Sequence, residues 1–197
     1  MKFSPIIIAL CAAGSAQAGD WSEWGHDASK NMAVPDAKNL PVEISGGEKI
    51  KGTDQIDLKS ATGAKWVTKL GSQSYGTKTS GSGKILLGTN NESPRIPAYE
   101  GDHGCVYCLD EKTGEFIWQL TIPKLGAGKV SDWEFLGVCS SPNIVGDRAY
   151  VITNRCEVLC IDPNGLADGN QGMQDEGKYI VGGMTVSISE GTGHPDG

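Results

Sequence analysis

Apolar residues along this chain fall in short runs bounded by glycine, asparagine and aspartate, and very few stretches have the spacing of a helix. Runs of this length predict strands at 65–70, 84–89, 105–109, 115–120, 148–153 and 157–161. Between them, Gly81-Ser82-Gly83, Glu111-Lys112-Thr113-Gly114 and Val145-Gly146-Asp147 have turn chemistry. The pattern is that of meandering antiparallel sheets.

One phrase occurs twice, 52 positions apart. The first copy is Gly104-Cys105-Val106-Tyr107-Cys108-Leu109-Asp110-Glu111-Lys112-Thr113-Gly114, followed by Trp118; the second is Cys156-Glu157-Val158-Leu159-Cys160-Ile161-Asp162-Pro163-Asn164-Gly165. A unit that recurs at such a period stacks on a neighbour to bury its apolar face. In the first copy Val106 and Cys108 share one face of a strand and Tyr107 and Leu109 the other. Both faces are apolar, which suits a sheet covered on both sides. Asp110 and Thr113 have the side chains to bond the backbone of the turn that Gly114 completes, and Trp118 is expected to bury a large ring between sheets. One strand earlier, Thr89-Asn90 matches Thr153-Asn154 at an offset of 64, so the first copy holds an insertion of 12 residues, about 91–102, containing Pro94 and Pro97. Insertions of this kind fall in surface loops and often on a binding face.

Residues 1–18 have the form of an export leader: Lys2, an apolar stretch from Phe3 to Ala13, and Ala16-Gln17-Ala18 as the small-x-small cleavage site. The stretch is too short to span a bilayer, and Leu10 before Cys11 does not fit a lipoprotein signal. Cleavage removes one lysine and takes the formal net charge from -7 to -8. The acidic balance argues against a nucleic-acid partner, and no later segment reads as a membrane span. A periplasmic or extracellular location is expected. Five cysteines then remain: Cys105, Cys108, Cys139, Cys156 and Cys160. Export permits disulfides, but an odd number leaves one thiol over. Cys105 and Cys108 stand three apart on a strand and point to opposite faces, so they do not pair with each other. No histidine follows Cys108, which removes covalent haem attachment. Buried strand thiols, disulfides between neighbouring strands and metal or redox chemistry stay open.

The phrase Val106-Tyr107-Cys108-Leu109-Asp110 with Thr113-Gly114 and Trp118 resembles the blade motif of the pyrroloquinoline-quinone-like repeat family, the quinoprotein-type propellers. Trp21-Ser22-Glu23-Trp24-Gly25 with Asn31 resembles the lead-in of its large secreted members. Lys65-Trp66-Val67, Leu70-Gly71-Ser72-Gln73-Ser74-Tyr75-Gly76, Leu87-Gly88-Thr89-Asn90-Asn91 and Cys139-Ser140-Ser141-Pro142 are similar to its blade segments. The resemblance implies an all-β fold, a β-propeller with four-stranded antiparallel blades around a channel. On that reading 19–60 is a lead-in, 61–120 a blade with the insertion near 91–102, 121–170 a second blade with a polar excursion, and 171–197 an incomplete segment. The excursion, from Leu166 through Gly172, carries no tryptophan at the expected distance. About two to three blades fit this length, whereas propellers close with four or more, so further blades are expected from a longer chain or a partner chain.

The resemblance also implies a choice of function. One branch of the family oxidises alcohols or sugars with a quinone cofactor, calcium, an aspartate base and often an adjacent cysteine pair. Neither the adjacent cysteines nor an assignable aspartate is found here. Another branch uses its propeller as an interaction platform without cofactor, and an exported binding or scaffolding module with a periplasmic or extracellular protein partner is the favoured expectation. No catalytic, cofactor-binding or metal-binding residue is assigned, and no cofactor is committed. Asp162, Asn164, Asp168 and Asn170 faintly resemble a calcium loop, but Leu166 stands where its fifth ligand position falls and no glutamate stands at the twelfth. Of the three histidines, His26, His103 and His194, only His103 has an acidic neighbour, Asp102. Adjacent residues usually point apart, and no nucleophile elbow accompanies them.

Overall fold

A computed structural model describes residues 19–96, 99–126, 132–165, 180–181 and 185–187. Its strands are β1 (Glu48–Lys49), β2 (Ile56–Asp57), β3 (Thr79–Gly81), β4 (Lys84–Asn90), β5 (His103–Asp110), β6 (Phe116–Pro123), β7 (Asn143–Val145), β8 (Arg148–Ile152), β9 (Val158–Ile161), β10 (Ile180–Val181) and β11 (Thr185–Ser187). Five of the six runs expected to be strands form them. The sixth, 65–70, is assigned to no strand.

The strands make three open sheets: β1-β2; a central sheet in the order β10-β11-β6-β5-β4-β3; and β7-β8-β9. The central sheet is an antiparallel meander from β3 to β6, extended by β11, which runs parallel to β6. The β3–β4 hairpin turns through Ser82-Gly83, both at positive φ, as tight hairpins of this kind require.

The propeller expected from the family resemblance is therefore not formed. The described sheets have two, six and three strands, none closes or curls into a ring, and they are not equal four-stranded blades. The terms that followed from it, quinoprotein-type and repeat protein, fall with it. The physical reason lies in range. The phrases that carry the resemblance specify a strand, a turn and a docked ring, all local, whereas strand number and closure depend on pairings between distant segments, such as β11 with β6.

The core lies between the central and the third sheet. Leu86, Val106, Cys108, Trp118, Leu120 and Ile122 meet Ile144, Ala149, Val151 and Ile161 there, with Val138 among them. On the opposite face Leu87, Cys105, Tyr107 and Leu109 pack with Trp66, Leu70, Ile85 and Phe116. The alternation read along 105–109 thus holds, and both faces of β5 are buried. Ile117 is the extra residue of a bulge, since Cys108 opposes Trp118 while Leu109 opposes Phe116. The start of the described chain ties the two sheets together: Ser80 N donates to Trp21 O at 2.8 Å and Ile144 N to Ser22 O at 2.7 Å. The third sheet is less covered than the central one: Tyr150 and Ile152 of β8 and Val158 of the second copy are exposed on its outer face, and Cys160 is half-buried.

Candidate functional site

The same local contact is made twice, by tryptophans 52 residues apart. Trp118 donates its indole N–H to Pro163 O at 2.9 Å, and Trp66 donates to Glu111 O at 3.0 Å. Each acceptor follows the aspartate that opens a turn. Asp110 Oδ1 accepts from Lys112 N and Thr113 N, and Asp162 Oδ1 from Asn164 N. Each ring lies over the glycine that closes its turn: a Cβ on Gly114 would stand 2.3 Å from the Trp66 ring, and one on Gly165 would stand 2.9 Å from that of Trp118. Both glycines have positive φ, so space and backbone conformation select glycine together. Hydrogen bonds from Thr113, first that of its backbone amide, hold the Asp110 carboxyl below its usual pKa.

Around Trp66 this docking builds the wall of a cleft. From Lys65 to Leu70 the side chains alternate between exposed and half-buried, which is the side-chain pattern of an extended strand. Trp66 and Thr68 bond inward to Glu111 O and Gly114 O, while Val67 and Lys69 point outward. The strand expected at 65–70 does not form a ladder, although its side chains alternate as those of a strand do. Among the described residues, the backbone amides of Val67, Thr68, Lys69 and Leu70 donate to no acceptor. Lys69 O accepts from the Arg95 guanidinium, which also lies 5.6 Å from the Phe116 ring centroid and 5.9 Å from that of Tyr107. Arg95 thereby fastens the loop after β4 to the cleft wall.

The opposite wall is the β1–β2 hairpin and the 3-10 turn Leu58–Ser60, where the Asp57 side chain caps the turn by accepting from Lys59 N. Between the walls lies a volume of about 840 Å³, within the range of small-molecule sites. Ile56, Leu58, Val67 and Leu70 give it an aliphatic lining, and Lys49, Asp54, Lys69 and Glu92 its charges. Asp54 serves two ammonium groups, with Lys69 Nζ at 2.7 Å and Lys49 Nζ at 3.8 Å. The Lys69 hydrogen bond, then the charges of both lysines, hold the Asp54 carboxyl below its usual pKa. These pairs are exposed and contribute little to stability; with Glu92 the lining carries two cations and two carboxylates.

A second polar cluster lies at the other end of β6. Lys124 Nζ pairs with Asp132, lies 3.9 Å from Asp102 Oδ1 and donates to Trp133 O at 2.6 Å. Asp132 also accepts from Leu125 N and Asn154 Nδ2, and Asp102 from Phe135 N. This cluster ties the segment after β6 to the insertion and to the end of β8. Asp102 is committed to these partners, and His103 Nδ1 has no hydrogen-bond partner among the described residues. Their adjacency in sequence does not make a dyad.

Cys105 and Cys108 lie in the two separate core clusters. Burial pushes the Cys108 thiol up to about 12 and raises that of Cys105 further. All five of the described cysteines are free thiols, with Cys139 and Cys156 exposed. His26 lies against the Trp21 ring at 5.1 Å and 3.3 Å from Asp27 Oδ2. Asp162 and Asn164 belong to the turn under Trp118, whereas Asp168, Asn170 and His194 lie outside the described residues. Among the described residues no group of three or more histidine, cysteine, aspartate or glutamate side chains is placed to hold a metal ion. The described residues offer no cluster for a quinone with its calcium and form no closed sheet, so neither the dehydrogenase reading nor the propeller-borne scaffold reading is retained.

Sequence reasoning missed the cleft. Its hairpin strands are two residues each and carry no periodic signal. The alternation in Lys-Trp-Val-Thr-Lys-Leu from 65 to 70 is the one local signal, and a side-chain pattern does not distinguish a paired strand from an unpaired one. No protein-family model matches the chain, and no curated protein matches it.

Proposed function

We propose that this protein is a binding protein that takes an amphipathic ligand into the cleft between the β1–β2 hairpin and residues 65–72. The observation that carries this reading is the open aliphatic lining beneath a lysine pair. Leu58 is 46% and Val67 43% exposed, so water covers apolar surface that a ligand would cover at a gain of about 25 cal/mol per Å². Lys49 and Lys69 with Asp54 and Glu92 place charged groups of both signs around that lining, so a ligand with polar as well as apolar groups finds partners for both. The leader-like residues 1–18 support a site of action in the periplasm or outside the cell.

Titration of the protein with 1-anilinonaphthalene-8-sulfonate, an amphipathic anion, followed by amide NMR, tests the reading. Saturable shifts of the Ile56, Leu70 and Ser72 amides are expected, together with at least about tenfold weaker binding in Lys69→Glu through lost charge attraction and lost pairing with Asp54. Shifts confined to the outer face of the third sheet, at Tyr150, Ile152 and Val158, would overturn it.

A further inference from the structure

We infer that the cleft recognises an extended polypeptide segment, which adds as a strand to residues 67–70. The inference rests on the cleft reading above and names its ligand class.

The two docked tryptophans supply the argument. Because Trp66 and Trp118 make the same contact with the same kind of turn, residues 67–70 correspond to 119–122. In β6 those positions are paired. Gln119 opposes Tyr107, Leu120 opposes Val106, Thr121 opposes Cys105 and Ile122 opposes Gly104, and β11 pairs with Gln119, Leu120 and Thr121 from the other side. At 67–70 the side chains alternate as in a strand, yet among the described residues the four amides have no acceptor. Where β6 has neighbouring strands, this segment borders the cleft.

Unpaired backbone amides in a row along an open groove, with the Lys69 carbonyl already taken by Arg95, suit a peptide better than a compact ligand, because an extended peptide offers complementary groups at the same spacing. Its alternate side chains would enter the aliphatic lining at Ile56 and Leu70, as alternate residues of a strand fall on one face. The wall is preformed: Trp66, Thr68 and Arg95 hold it from behind, so pairing does not first require ordering the segment, which lowers the entropic cost of binding.

The test uses a capped peptide with the sequence of residues 104–110, the strand that opposes the equivalent stretch of β6, with both cysteines replaced by alanine, and the same peptide N-methylated at alternate residues. The unmodified peptide is expected to shift the amides of 67–70 and to bind at least about tenfold more tightly than the methylated one, because methylation removes the donors of a strand ladder. Equal binding of both peptides, or dye binding with no peptide binding, overturns the strand-addition inference while leaving the cleft reading in place. Loss of dye binding to the unsubstituted protein overturns both.

Discussion

Trp118→Ala should lower the free energy of unfolding by about 3–5 kcal/mol, measured by urea denaturation. The side chain is 1% exposed and stands in the cluster that joins the central and third sheets. An aromatic ring of this size buries roughly 200 Å², worth about 5 kcal/mol at 25 cal/mol per Å². Truncation also frees Pro163 O of its indole partner, and Pro163 is itself buried. The ring is the ceiling over Gly165, so the cavity opens against a turn that has little side-chain volume with which to collapse. Trp118→Phe separates the two contributions. It keeps most of the apolar area and loses the hydrogen bond, and should cost about 1–3 kcal/mol. A loss below about 1 kcal/mol for the alanine variant would remove Trp118 from the core.

Lys124→Met should cost about 3 kcal/mol by the same measurement, for an electrostatic reason. The Lys124 side chain is 16% and that of Asp132 3% exposed. With the ammonium gone, Asp132 keeps the Leu125 and Asn154 donors but loses its counter-charge, in a site that also holds the Asp102 carboxylate. A buried charge left unpaired is more destabilising than the pair was stabilising. For that reason Lys124→Met combined with Asp132→Leu should be less unstable than Lys124→Met alone. If the double variant loses at least the sum of the two single losses, the cluster is not the buried pair described here.

How much of this was visible in the sequence varies by region. β4, β5 and β6 were legible because their apolar residues face two covered sides, so burial reinforces propensity at every position. The turn after Asp110 was legible because its hydrogen bonds lie within four residues. The contact of Trp66 with Glu111 was not, although its partner at Trp118 was expected to be buried, since a docked indole leaves no periodic trace when its acceptor is a backbone carbonyl 45 residues away. Nor was the missing ladder at 65–70: a strand pattern records which side chains are covered, not whether the backbone finds a neighbour. The propeller expectation failed for the related reason that local phrases do not encode how many strands each sheet gathers, or that β11 joins β6 in parallel.

Hydrogen exchange of the free protein tests the central claim most directly, because it compares two segments that share one docking contact and differ in pairing. The amides of residues 67–70 should exchange at least about 100-fold faster than those of 119–122, as expected of solvent-facing groups against a ladder in the sheet interior. Comparable protection in the two segments would mean that the cleft wall is already paired in solution, and would contradict the account.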